Sequence, residues 1–217
     1  MKIKPPNIPK ELPLVTDFQG LTRKLKYSEY DIAGLRVKDE FITDFDFSGE
    51  TFRNIIWENC RFINCQFSKC TFINAIFKSC DFSNSNFEES YWKYCSIQDS
   101  KAIGAGFTQS VWQEMKIAGA CLNYASCSQS KWQKLEFDRC FFHNAYLTEI
   151  KAQEIAFSQC EFRNTTFFKT PLRDLDFSDS TVHNLILSDD LHELKGAIFS
   201  PLQGAELSQL MGIILKD

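Results

Sequence analysis

Read at every fifth position from Ile42 to Leu187, the chain is apolar almost without interruption. Phe47, Phe52, Trp57, Phe62, Phe67, Phe72, Phe77, Phe82, Phe87 and Trp92 follow one another, and only Ala102, Cys127 and Ala152 in the whole series are not large. The positions two residues earlier form a second column that is mostly small: Cys60, Cys65, Cys70, Ala75, Cys80, Ser85, Ser90 and Cys95, then Ala105, Ser110, Ala120, Ala125, Ser130, Cys140, Ala145, Cys160, Thr165, Thr170 and Ser180. The other three residues of each five are largely Asn, Asp, Ser, Lys, Glu and Gln, as solvent-facing turn residues should be. A period of five matches neither the 3.6 of a helix nor the 2 of a strand. It predicts a solenoid, whose units bury their apolar faces against neighbouring units.

The segments CRFIN, CQFSK, CTFIN, CDFSN, CFFHN and CEFRN resemble the A(D/N)Lxx unit of pentapeptide-repeat proteins, with Phe in place of the central Leu. The resemblance implies an all-β solenoid: a right-handed quadrilateral β-helix with four units and twenty residues per turn, central and small residues both pointing inward, and a tight turn at each corner. Two inward side chains then share each side of a narrow tube, so only one of them can be big. Rungs stacked at about 4.8 Å make a rod roughly 36 Å long. Trp92, Trp112 and Trp132 fall in one column, and Ala102, Cys127 and Ala152 supply the room that three indoles require. Asn64, Asn84, Asn144, Asn164 and Asn184 form another column, expected at a corner because Asn tolerates turn conformations.

The chain has nine cysteines and 21 phenylalanines among 217 residues. Seven of the cysteines occupy the small column, where they read as soft wall residues. The livelier alternative is disulfides between stacked neighbours, Cys60 with Cys80 and Cys140 with Cys160. Without CxxC pairs or histidine partners they do not suggest a metal site. His143, His183 and His192 lie in no nucleophile, metal or phosphate motif. No catalytic residue, metal or cofactor is therefore expected, and the chain reads as a non-enzyme.

A formal net charge of -4 argues against direct binding of nucleic acid, which needs many phosphates neutralised. No apolar run is long enough to span a membrane and no apolar signal core opens the sequence, so the expected compartment is the cytosol.

Residues 1–26 are Pro-rich and read as an extended arm. Residues 27–40 read as a bulky cap, because Tyr27, Ile32 and Val37 keep the spacing while Leu25, Tyr30 and Leu35 are too large for the small column. Residues 41–190 form the coil. After Leu187 the register fails, and residues 191–217 read as a closing element: a helix over 201–211, started by Ser200 and Pro201 and stopped by Gly212, then a strand through Ile213, Ile214 and Leu215. Leu202, Ala205, Leu207, Leu210 and Met211 supply the apolar side of that helix. This ending resembles the one that closes Qnr-type members of the family, where it makes a symmetric dimer. The likeness implies a homodimer through Leu207, Leu210, Met211, Ile213, Ile214 and Leu215.

Two functions follow as expectations. One is a protein-binding scaffold whose partner docks on the outward aromatics Tyr124, Phe141, Tyr146 and Phe168. The other, implied by the Qnr-type likeness, is a DNA-mimicking protein that binds a type II topoisomerase, DNA gyrase or topoisomerase IV, and modulates quinolone sensitivity. Against the second, residues 41–190 carry 19 acidic and 14 basic residues, far below duplex charge density. The register also runs without the loop insertions that longer-looped Qnr-type proteins use to engage gyrase.

Overall fold

The computed structural model describes residues 2–25 and 31–216. They wind into a parallel β-solenoid of about 8 turns closed by a short C-terminal helix. Residues 20 apart pair across successive rungs, as in Thr51↔Thr71, Phe72↔Trp92, Trp92↔Trp112 and Lys131↔Lys151. Each rung has four sides. The first face is centred on Phe52, Phe72, Trp92, Trp112, Trp132 and Ala152, and the second on Trp57, Phe77, Ile97, Ile117 and Phe137. The third is centred on Phe62, Phe82, Ala102, Leu122 and Phe142, and the fourth on Phe47, Phe67, Phe87, Phe107 and Cys127. Faces one and two are spanned by bent strands such as Thr51–Glu58, Thr71–Lys78, Val111–Ala118, Lys131–Asp138 and Lys151–Ser158.

The corners explain the Asn column. Asn64, Asn84, Asn144, Asn164 and Asn184 have φ between 50° and 57°, the left-handed region, which Asn visits more readily than other residues with a Cβ. The same corner position elsewhere holds Lys69, Glu89, Tyr94 and Glu114 at φ 53° to 59°. Such residues cost roughly 1–2 kcal/mol each in that conformation, so the coil holds them there through its packing and its rung-to-rung hydrogen bonds. At many corners the turn closes on itself, as where the Cys70 N–H donates to the Phe67 carbonyl at 3.2 Å with Lys69 supplying the positive φ of a type II turn.

Inside, rings stack down each face. Phe47, Phe67, Phe87 and Phe107 lie nearly parallel at 4.7, 4.8 and 4.9 Å, and Phe72 stacks on Trp92 at 4.0 Å. Trp112 and Trp132 stack at 5.6 Å, but Trp92 and Trp112 are tilted by 56°. Ala102 borders this tilt and lines, with Trp92, Phe107 and Trp112, an apolar cavity of about 20 Å³. All nine cysteines are free thiols, and only Cys121 is more than slightly exposed. Burial pushes Cys70 and Cys95 up to about 12. Cys80 and Cys140 donate their thiols to the carbonyls of Trp57 and Ile117 at 3.6 and 3.5 Å, and the neighbouring thiols of Cys60 and Cys160, together with burial, push both of them up.

Both ends depart from the sequence reading. The arm pairs with the coil through Leu14↔Arg36 and Val15↔Val37, and then, instead of continuing extended, forms helix α1 (Phe18–Leu25). Asp17 starts α1 by accepting the Gly20 N–H at 2.8 Å. A Cβ at Gly20 would fall 2.0 Å from that carboxylate, so any larger residue there would make the Asp17 side chain shift. Phe18 is fully buried against Phe47, Phe52, Trp57 and Phe62 and plugs the mouth of the tube. Residues 32–38 are not the cap but the first rung, a strand paired with Thr51–Glu58. Tyr27 and Tyr30 lie outside the described residues, as does the side chain of Leu25.

At the far end the coil outlasts Leu187. Asp176 bridges Ile198, and Phe199 stacks on Phe177 at 5.2 Å. The spacing there is 22 residues, so an insertion of two hides the last rung from a strict count. Helix α2 (Pro201–Ser208) follows, ending in a 3-10 turn at Gln209–Met211. It docks by a polar group: buried Gln203 donates to the carbonyls of Phe177 at 2.9 Å and Ser180 at 2.6 Å, satisfying acceptors at the open end of the tube. Leu207 is the one leucine of α2 packed on the core, whereas Leu202 is 83% exposed. The strand expected at Ile213–Leu215 does not form, since no free strand of the coil lies beside it in a ladder.

Candidate functional surfaces

The histidines give no catalytic geometry. Nε2 of His143 lies 3.1 Å from Oε2 of Glu161, His183 pairs with Glu206, and Nδ1 of His192 lies 2.7 Å from Oδ1 of Asp190. Each therefore has its own carboxylate at a separate place on the surface. Asp190, His192 and Glu193 could converge on a cation. Glu193, however, is buried and already accepts the N–H groups of Lys169 and Ser188 and the Ser188 hydroxyl. It latches the two-residue insertion to the coil.

The outward aromatics are exposed, Tyr124 by 59%, Tyr146 by 53%, Phe168 by 39% and Phe141 by 38%. They do not share one corner. Tyr124 stands at the corner between faces three and four, where its N–H donates to the His143 carbonyl. Tyr146 lies beside that corner on face four, bridged to Ser126 and Thr166. Phe141 sits across face three, edge-on to the His143 ring at 6.0 Å. Phe168 is on the opposite edge of face four, under the Lys169 ammonium at 5.2 Å. Tyr124, Phe141, His143 and Tyr146 thus form one band, and Phe168 stands apart. The ground around Tyr146 is uncharged, with Ser126, Ser128, Asn144, Thr148, Asn164 and Thr166.

At the C-terminal end Leu210, Met211, Ile213, Ile214 and Leu215 are all exposed, Ile214 by 88%. Leu207, the sixth residue expected in a dimer contact, faces the core instead. Among the described residues no helix is long and apolar enough to cross a membrane.

The charge pattern was not evident without the rungs. Cations elsewhere pair along the columns: Lys69 with Glu89, Lys78 with Glu58, Lys116 with Glu136, Lys134 with Glu114 and Lys169 with Glu149. On face one the outward positions beside the central residues from rung 51 to rung 171 hold Arg53, Lys93, Lys131, Lys151 and Arg173 and no acidic residue; Arg53 pairs with Asp31 and Arg173 with Asp174. That face also bears a cleft of about 470 Å³ near its C-terminal end, lined by Lys131, Trp132, Gln133, Ile150, Lys151, Ala152 and Pro171 among others. The large Ile150 in the small column and Pro171 in a donor position were the available signals for it.

Comparison with known proteins agrees on the architecture. A family model described as pentapeptide repeats (9 copies) matches residues 52–96. A trypsin-treated variant of QnrB1, a plasmid-mediated fluoroquinolone resistance protein, superposes with a TM-score of 0.58 at 23% identity, covering 86% of this chain and 92% of its own. Full-length QnrB1 gives 0.53 at 22%, covering 85% and 94%. HetL, a pentapeptide-repeat protein from the cyanobacterium Nostoc involved in heterocyst differentiation regulation, gives only 0.28 at 10%, covering 85% and 98%. No curated protein matches by sequence.

Proposed function

We propose that this pentapeptide-repeat β-helix is a non-catalytic scaffold that binds another protein through its outer wall. The observation that carries the reading is the band of Tyr124, Phe141 and Tyr146, large rings held in solvent on a wall whose other distinctive residues build the tube. Rigid aromatic side chains on a preformed surface are what interface anchors are made of. A pull-down comparing the native chain with a Phe141→Ser/Tyr146→Ser variant tests it. Loss of captured partner with an unchanged melting curve supports the band as the docking surface; undiminished capture removes it.

A homodimer through the exposed C-terminal residues belongs to the same reading. Light scattering should give twice the chain mass for the native protein and the chain mass for Met211→Asp/Ile214→Asp. A monomeric native protein leaves the C-terminus as a cap only.

The second reading is that of a DNA-mimicking topoisomerase binder, favoured by the superposition on QnrB1 along most of both chains. The charge pattern weighs against it, because five glutamates here are paired with lysines down the columns and the outward positions of face one carry cations and no acid. A gyrase supercoiling assay with a quinolone decides: protection or inhibition at micromolar protein supports it, and neither sinks it.

A further inference from the structure

The cleft on face one is a break in the wall. On five successive rungs the residue before the central one donates its N–H to the carbonyl of the residue two before the central one in the previous rung: Thr71 to Glu50, Tyr91 to Cys70, Val111 to Ser90, Lys131 to Ser110 and Lys151 to Ser130, at 2.8 to 3.0 Å. The next donor would be residue 171, a proline, which has no N–H. The acceptor it would have met is Ile150, the one bulky aliphatic in a column that otherwise reads Cys70, Ser90, Ser110, Ser130 and Thr170. Ile150 turns inward and is buried, and Ala152 in the central column makes room for it. Among the described residues no backbone hydrogen bond joins 151–158 to 171–178. The core stays continuous behind the break, with Phe157 stacked on Phe177 at 5.4 Å. Strand Lys151–Ser158 is thus paired on one edge only.

Lys131 and Lys151 stand in register on the rim. Like charges directly opposite across a ladder repel, and among the described residues neither ammonium has a carboxylate at ion-pair distance, whereas five other lysines of the coil are paired across rungs. Along the chain the nearest acids are Glu136 to Lys131 and Glu149 and Glu154 to Lys151; Glu136 is engaged by Lys116 and Glu149 by Lys169. The indole N–H of Trp132, which also lines the cleft, is buried without an acceptor. Gln133 and Gln153 supply amides beside the lysines.

From this juxtaposition we infer that the cleft takes an extended acidic segment of a partner protein. A carboxylate of the segment sits between the Lys131 and Lys151 ammoniums, an adjacent apolar side chain fills the space over Ala152 and Pro171, and its main chain lies along the open edge at 151–153. Two unpaired, mutually repelling cations select a negative group, and a strand edge lacking its neighbour selects an extended backbone. This rests on the protein-binding reading but not on the aromatic band.

The probe is a fluorescent peptide of alternating glutamate and valine, titrated against the full-length protein by anisotropy, with its glutamine-for-glutamate counterpart as control. Saturable binding of the acidic peptide alone is expected, weakened by added salt and by about tenfold or more in Lys131→Gln/Lys151→Gln, whose surface positions leave the melting curve unchanged. The Phe141→Ser/Tyr146→Ser variant should bind the peptide as the native chain does, so failure of the band and failure of the cleft are separable. Hydrogen exchange should show amides 152–153 slowed by the peptide and, without it, faster than 132–133. No saturable binding, or equal binding by the lysine variant, overturns the assignment. Binding of citrate with none of the peptide overturns it too, in favour of a small polycarboxylate.

Discussion

The rungs from Phe47 to Phe107 and those from Lys151 to Phe199 are built from one repeat but differ in how completely they obey it. In the first set most faces keep one large and one small inward side chain, Ile55 and Ala102 being exceptions, rings stack on face four at spacings of 4.7 to 4.9 Å, and backbone bonds join successive rungs on all four faces. In the second set Ile150 and Ala152 exchange sizes, Pro171 removes a donor, and two extra residues enter before Phe199. The interior tolerates the exchange, since inward volume is conserved. The wall does not, because a ladder bond needs a particular N–H at a particular place. Regularity in this fold therefore yields stability, and the departures open places where the backbone and its charges become available.

The contrast can be broken most severely in the regular half. Phe67→Ala, at the centre of an unbroken stack, should cost about 3–5 kcal/mol, whereas Phe157→Ala, 7% exposed beside the break, should cost less; denaturant titration of both checks the order, and equal losses would mean that the break does not loosen the core. Ala102→Phe should cost roughly 1–3 kcal/mol, because the 20 Å³ beside Trp92 and Trp112 cannot hold a ring; an unchanged melting temperature would refute that account of the tilted indoles.

A smaller effect follows from the buried thiols. Cys70 and Cys95 stay protonated in the folded tube up to about pH 12, while in the unfolded chain they ionise from their ordinary value of 9.0. The folded state then binds more protons than the unfolded one between those values. Stability should be flat with respect to these groups below pH 9 and should fall above it, by about 1.4 kcal/mol per pH unit for each thiol. Melting curves of the native chain and of Cys70→Ala/Cys95→Ala across pH 8 to 11 check the sign, and a native stability that rises with pH would reverse it. The smallest expected effect is that of Pro171→Thr, which restores an N–H and so should gain at most about 1 kcal/mol, offset by lost rigidity of the unfolded chain. Its direct readout is the new amide at 171, which should be protected from exchange if the missing donor holds the break open.

The coil, its inward columns and the Asn corners were legible because each depends on local volume or local φ, and both repeat with the chain. The ends were not. Phe18 sits outside the five-residue register, so nothing in its spacing announces a plug, and Asp17 and Gly20 mark a helix start within a segment dominated by prolines. Nothing in the spacing of α2, whose pattern marks only an apolar side, distinguishes Gln203, since its value lies in two carbonyls that only the closed tube leaves unsatisfied. The aromatics Tyr124, Phe141, Tyr146 and Phe168 were legible as exposed residues but not as a band of three with an outlier, because neighbours on different faces are far apart along the chain.

What the amino-acid sequence determined by itself is the period, and with it the tube: a large side chain and a small one at fixed spacing leave one way to fill a narrow four-sided interior. What only the tertiary structure decided is the outer wall. Residues 20 apart become neighbours there, so Lys131 meets Lys151 while Lys116 meets Glu136, and whether a charge is cancelled or left free depends on a contact the linear order does not display. The break at Pro171 belongs to both levels: the missing N–H is written in the residue, but its consequence exists only where another rung was waiting to receive it.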